Sequence, residues 1–194
     1  MARRSAEDAE RTRAAIVRAG RAAFAKQGFA GAATAEIARA AKVTEGALFH
    51  HFGSKKALFA EVLHMLESEL TAHAVETGLA GPPLESFLEA CRRSLEYAQR
   101  PDYQQIVMID GPNVLGDSEW RRVDSGFGLG AVRLGLRRIE GSGEVPDRDL
   151  RTLAVGILGI LNETSFALAR GERGVSIEAC TRLLDRLIRM QMDL

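Results

Sequence analysis

Apolar residues recur at three- and four-residue spacing along almost the whole chain, and no stretch alternates apolar with polar for five or more positions. The first spacing belongs to a helix, whereas a half-buried strand needs a period of two. The chain is therefore expected to be all-α. Its 46% hydrophobic and 27% charged residues suit a globular protein, and 194 residues can bury a real core. No apolar run reaches the ~18–20 residues of a membrane span. The best stretch, 153–161, is far too short, so no membrane partner is expected. The opening residues lack the apolar core of a secretory signal, which points to the cytoplasm.

Helix punctuation divides the chain. A first helix is expected over about 8–27, burying Ile16, Val17, Ala23 and Phe24. Gly28 can take the left-handed conformation that ends it, with Phe29 as the apolar residue of a Schellman motif. Thr34 is expected to cap a short helix to Ala41, Thr44 to cap another to Phe52, and Ser54 to cap a long one to about Thr77. The breaker 78–83 reads as an internal linker. Beyond it, helices are expected over about 84–99, 102–111, 118–141, 147–170 and 175–192. Asp147 is expected to cap the fourth of these, Gly111-Pro112 must end or kink the second, and 141–146 separates the third from the fourth. About nine helices result, with a head over 1–54 and a body over 55–194.

Net charge is zero, yet it is unevenly placed. Residues 1–56 hold eleven Lys and Arg against five Asp and Glu, a balance of +6; with 26 of each sign in the chain, the remainder carries −6. A basic head on an acidic body suits a polyanionic partner. Within the head, only Lys42-Val43-Thr44 separates two short helices, which must cross steeply. Ile37, Val43, Leu48 and Phe52 can fill their shared core, with Ala38 and Ala41 allowing close approach. Gly46 and His50 then point outward, with Ala47, Phe49 and His51 on the shoulders. The backbone amides after Thr44, together with Lys55 and Lys56, could hold phosphates.

The run TAEIARAAKVTEGALFHHFGSKKALFAEVL resembles the DNA-binding head of the tetracycline-repressor (TetR) family, and the likeness covers residues 12–63. The resemblance implies a helix-turn-helix whose segment 45–52 enters the major groove of double-stranded operator DNA. By position, Thr34, Thr44, Phe49, His51, Lys55 and Lys56 would touch the DNA backbone, while Glu45, Gly46, Ala47 and His50 would lie nearest the base edges. Three positions depart from the family pattern. Lys42 stands where glycine is usual, adding a charge for a phosphate at some conformational cost. Ala47 and Phe49 replace a threonine and a tyrosine, which removes two hydroxyls. With few long donors on that face, DNA shape and thymine methyls gain weight in recognition.

The remainder resembles the family's ligand-binding and dimerisation region. The stretch from Ile106 to Asp124 resembles a subtype marked by D-G/A-P-x-V-L-G and W-R. A homodimer is implied, through the last two helices of each subunit. Their apolar residues Leu153, Ile157, Leu161, Leu184, Leu187 and Ile188 are the interface candidates, with an intramolecular core as the competing reading. Polar residues set among apolar ones suggest an effector pocket from Phe87, Cys91, Met108, Asp110, Trp120, Phe127, Asn162 and Phe166. Helix capping and dimer contacts explain the same pattern. Trp120, if buried, needs a partner for its indole N–H.

The function expected is therefore a DNA-binding repressor released from a palindromic operator by a small-molecule effector. The alternative is a regulator governed by a partner protein or by its own expression level. No nucleophile–base–acid spacing, phosphate loop or metal set is present, so neither enzyme activity nor a cofactor or metal is expected. Cys91 and Cys180 lack ligand spacing and read as buried thiols, while His64 and His73 read as surface or packing residues.

Overall fold

The computed structural model describes residues 2–76, 81–141 and 146–192, and its regular structure is entirely helical. In chain order come α1 (Ala2–Gly31), α2 (Thr34–Ala40), α3 (Glu45–Phe52), α4 (Lys55–Val75), α5 (Pro83–Ala98), α6 (Pro101–Tyr103), a π-helical segment (Gln104–Asp110), α7 (Gly111–Leu115), α8 (Asp117–Glu140), α9 (Asp147–Ala169) and α10 (Ile177–Met192). Both expected breakers, 78–83 and 141–146, lie partly outside the described residues. The surplus over nine helices comes from 101–115. Pro112 has no N–H and its ring excludes the carbonyl four residues back, so an α-helix can hold it only in its first turn. The preceding seven residues take π register, and α register resumes at Gly111.

Two of the four expected caps form. Thr44 Oγ1 accepts the Ala47 N–H at 3.1 Å, and Ser54 Oγ accepts that of Ala57 at 3.0 Å. Thr34 and Asp147 are instead the first helical residues, behind Ala33 and Pro146. Each is engaged elsewhere. Arg133 lies 2.8 Å from the Asp147 carboxylate and holds it below the usual carboxylate range. The break in α1 falls at Gly28, as expected, with φ 67° and ψ 172°. That ψ does not make a Schellman ending; helix resumes to Gly31, and the Phe29 N–H turns to Asp110 Oδ2 at 2.7 Å.

The described chain packs as two compact units. The first joins residues 1–66 to 101–120. Ile16, Val17 and Phe24 of α1, Ile37 of α2, Leu48 of α3 and Leu58, Phe59 and Leu63 of α4 form its buried centre, with Phe24, Phe29 and Phe59 in mutual ring contact. Arg21 bonds Asp102 at 2.7 Å, and Gln105 joins Phe29 on Asp110 at 3.1 Å. Trp120 is buried and donates its indole N–H to the Val107 carbonyl at 2.9 Å, as required. Gly111 permits this, since a Cβ there would sit 2.8 Å from the indole ring.

The second unit joins 67–100 to 121–194. Its core takes Leu84, Phe87, Cys91 and Leu95 from α5, Val132 and Leu136 from α8, Leu150, Ala154, Ile157 and Leu161 from α9, and Cys180, Leu184 and Ile188 from α10. Both cysteines are buried and free, and burial pushes the Cys91 thiol up to about 12. This core bears on the interface candidates. Ile157, Leu184 and Ile188 are wholly buried within one chain and Leu161 nearly so, leaving little or no surface for a second copy. Leu153 and Leu187 are half-buried against the same core. The apolar side chains that α9 and α10 do expose are Val155 (55% exposed), Leu183 (47%) and Met190.

The apolar-run criterion also missed a property of α9. By length and mean hydropathy, 1.5 over its best 18 residues, this helix could cross a membrane. Averaging passes over Asn162 and Glu163, which end the run. In this fold one side of α9 lies in the core of the second unit.

Candidate nucleic-acid interface

The turn between α2 and α3 follows from backbone bonding around Lys42. The Lys42 N–H bonds the Arg39 carbonyl at 3.1 Å, and the Val43 N–H reaches back to the Ala38 carbonyl at 3.0 Å. These are the two bonds of a Schellman motif, which requires left-handed backbone at the residue after the cap. Lys42 supplies it, with φ 60°, the one positive φ among described non-glycine residues. The conformational cost read from the sequence is thus located. The motif aims Val43 toward the core and Thr44 into extended backbone, φ −79° and ψ 154°, from which it caps α3.

Leu48 is the wholly buried anchor of α3, and Phe52 is half-buried under the Arg13 guanidinium, 5.2 Å from its ring. Arg13 is itself held by Glu61 at 2.8 Å, which raises its pKa further. The opposite face carries Glu45, Gly46, Phe49 (40% exposed) and His50, all exposed, with Ala47 and His51 half-buried on the flanks. Gly46 and His50 point outward as the helical wheel predicts, whereas Phe49, read as a shoulder residue, is exposed beside them. The His50 and His51 rings stand 5.9 Å apart.

Around α3 the cations differ in how far they are engaged. Lys42 and Lys56 are exposed. Lys55 is half-buried, its ammonium 4.6 Å from the Phe29 ring centre and 3.4 Å from the Ala30 carbonyl. Those two contacts offset the unfavourable position of a cation at a helix start. Thr34 brings a contact that sequence reasoning missed: its hydroxyl donates to Glu45 Oε1 at 2.5 Å, joining the first residues of α2 and α3. No sequence signal marks a pair eleven residues apart, because the contact exists only once the two helices cross.

The effector candidates divide between the units. Met108, Asp110 and Trp120 belong to the first, where Asp110 and Trp120 commit polar atoms to Phe29 and Val107. Phe87, Cys91, Phe127, Asn162 and Phe166 belong to the second; the first two are buried and the others half-buried.

Comparison with known proteins agrees with this geometry. Residues 16–62 match the family described as "Bacterial regulatory proteins, tetR family", and residues 84–190 match "Tetracyclin repressor-like, C-terminal domain". The HTH-type transcriptional regulator SrpR of Pseudomonas putida is 31% identical over 163 residues, covering 81% of this chain and 74% of that protein. The HTH-type transcriptional regulator AcrR of Shigella flexneri is 32% identical over 110 residues, 56% of this chain; the match spans about half of that relative, 51% of its length. A crystal structure of a TetR-family transcriptional regulator from Pectobacterium atrosepticum superposes with a TM-score of 0.72 at 28% identity, covering 96% of this chain and 94% of that one. With its helix-turn-helix followed by a matching C-terminal region, the chain belongs to the TetR family of bacterial transcriptional regulators.

Proposed function

We propose that this protein is a cytoplasmic repressor that binds a palindromic operator as a homodimer and is released by a small-molecule effector. The observation that carries the reading is α3: an eight-residue capped helix with one face exposed, flanked by Lys42 and Lys56 within residues 1–56, whose net charge is +6. A helix of that size and exposure fits a major groove, and the cations suit the phosphates beside it. The relatives named as regulators, and the AcnR proteins of Corynebacterium named as repressors, support it. Two copies would place their α3 helices about one helical turn of DNA apart, ~34–36 Å. An effector in the second unit, near Phe87, Phe127, Asn162 and Phe166, would act by binding better to a conformation with the wrong spacing.

Lys56 gives the cleaner test, since Lys55 also holds Phe29 and Ala30. In anisotropy titrations at several salt concentrations with duplexes of differing sequence, Lys56→Ala should weaken binding on all of them. The slope of log K against log salt should fall by about 0.9 per lost phosphate contact. An unchanged slope removes Lys56 from the DNA surface.

One observation favours the reading without a ligand. Among the described residues every buried side-chain nitrogen and oxygen already has a hydrogen-bond partner. Native mass spectrometry of freshly purified protein separates the two: a retained small molecule supports effector control, and a bare protein supports control by a partner or by expression level.

A further inference from the structure

The acidic residue on the reading face is the feature that the proposed function leaves unexplained. Glu45 is exposed at the first turn of α3, on the side of the head that would meet a polyanion. A carboxylate there gains from the helix dipole in the free protein. Beside phosphates it would be repelled, and among the described residues no Lys or Arg pairs with it. What holds it is the Thr34 hydroxyl, 2.5 Å from Oε1. A threonine hydroxyl has one proton, and here that proton is committed. Thr34 is therefore not free to donate to a phosphate as the family likeness implies. Its bond also fixes the rotamer of Glu45 before any DNA arrives, which removes an ordering cost from binding.

A fixed carboxylate offers acceptors only, and the major groove decides what it can meet. Guanine presents O6 and N7, and thymine presents O4, all acceptors. Adenine pairs its N6 donor with the N7 acceptor beside it. Cytosine alone shows a donor, N4, with no acceptor of its own on that edge. We infer that Glu45 reads a cytosine in each operator half-site through its second oxygen, and that Thr34 is the positioning residue that aims it. This inference rests on the DNA-binding reading above.

The test is selection of bound duplexes from a randomised library, followed by affinity measurements, with the full-length protein and its Thr34→Val, Thr34→Ser, Glu45→Gln and Glu45→Ala variants. Circular dichroism confirms that each is folded. The wild type should select a palindrome with cytosine at one symmetric position and prefer it over other bases by about tenfold or more, as a good base contact does. Glu45→Gln and Glu45→Ala should flatten that preference and leave the other positions intact. Thr34→Val should reduce it without a matching loss of affinity on sequences that lack the cytosine, and Thr34→Ser should restore it.

A cytosine preference that survives both Glu45 variants overturns the inference. So does a uniform gain in affinity on every sequence, which would show mere repulsion of phosphates. A loss of affinity for Thr34→Val that is uniform over all sequences, with the cytosine preference intact, would make Thr34 a phosphate contact and overturn its positioning role. A wild type that enriches no sequence at all overturns the DNA-binding reading itself.

Discussion

Lys42 illustrates what one residue decides in this head. Left-handed backbone costs an L-residue about 1–2 kcal/mol, and glycine avoids most of that while losing more chain entropy on folding. Lys42→Gly should therefore raise stability by roughly 0.5–1 kcal/mol in urea unfolding, with the turn unchanged. A less stable variant would mean that the lysine side chain contributes a packing contact that outweighs its φ. The departure at 42 was legible in the sequence because the turn motif fixes which position must be left-handed. The Thr34–Glu45 bond was not: cap rules consider a residue's own helix, and here the hydroxyl finds its partner on the next one.

Among elements, α1 and the segment 101–115 show where sequence reading succeeds and where it stops. Periodicity placed α1, and the glycine at its break was recognised, since a positive φ follows from local chemistry. What became of the Phe29 N–H after the break was not readable, because its acceptor lies 81 residues away. The π register was equally hidden, although Pro112 marked the disturbance. Asp110→Ala removes the acceptor shared by Phe29 and Gln105, leaving a part-buried N–H without its partner, and should cost about 1–3 kcal/mol. Urea unfolding measures it, and a change within experimental error would show that water replaces the carboxylate. Apolar periodicity likewise found α9 and α10. It could not say which stripe faces the chain's own core, because both sides of α9 carry apolar or small residues.

For the whole molecule, the exposed apolar side chains of α9 and α10 set the expectation for assembly. Leu183→Arg places a charge on a surface that a second copy would cover, without entering the protomer core. In analytical ultracentrifugation the variant should sediment as a monomer, and its operator affinity should fall by at least tenfold, since a single head holds one half-site. A variant that remains a dimer would move the interface to another face. Leu187 makes a poorer probe, because it packs partly against the core and its replacement would also destabilise the protomer.

The first unit is assembled from two stretches of chain, and this limits how the protein can be recombined. Exchanging heads between relatives at one cut near residue 66 would leave Arg21 and the Phe29 amide facing a foreign sequence in place of Asp102 and Asp110. A chimaera that keeps the head intact needs separate crossovers around 101–120, so that the native docking stretch travels with it.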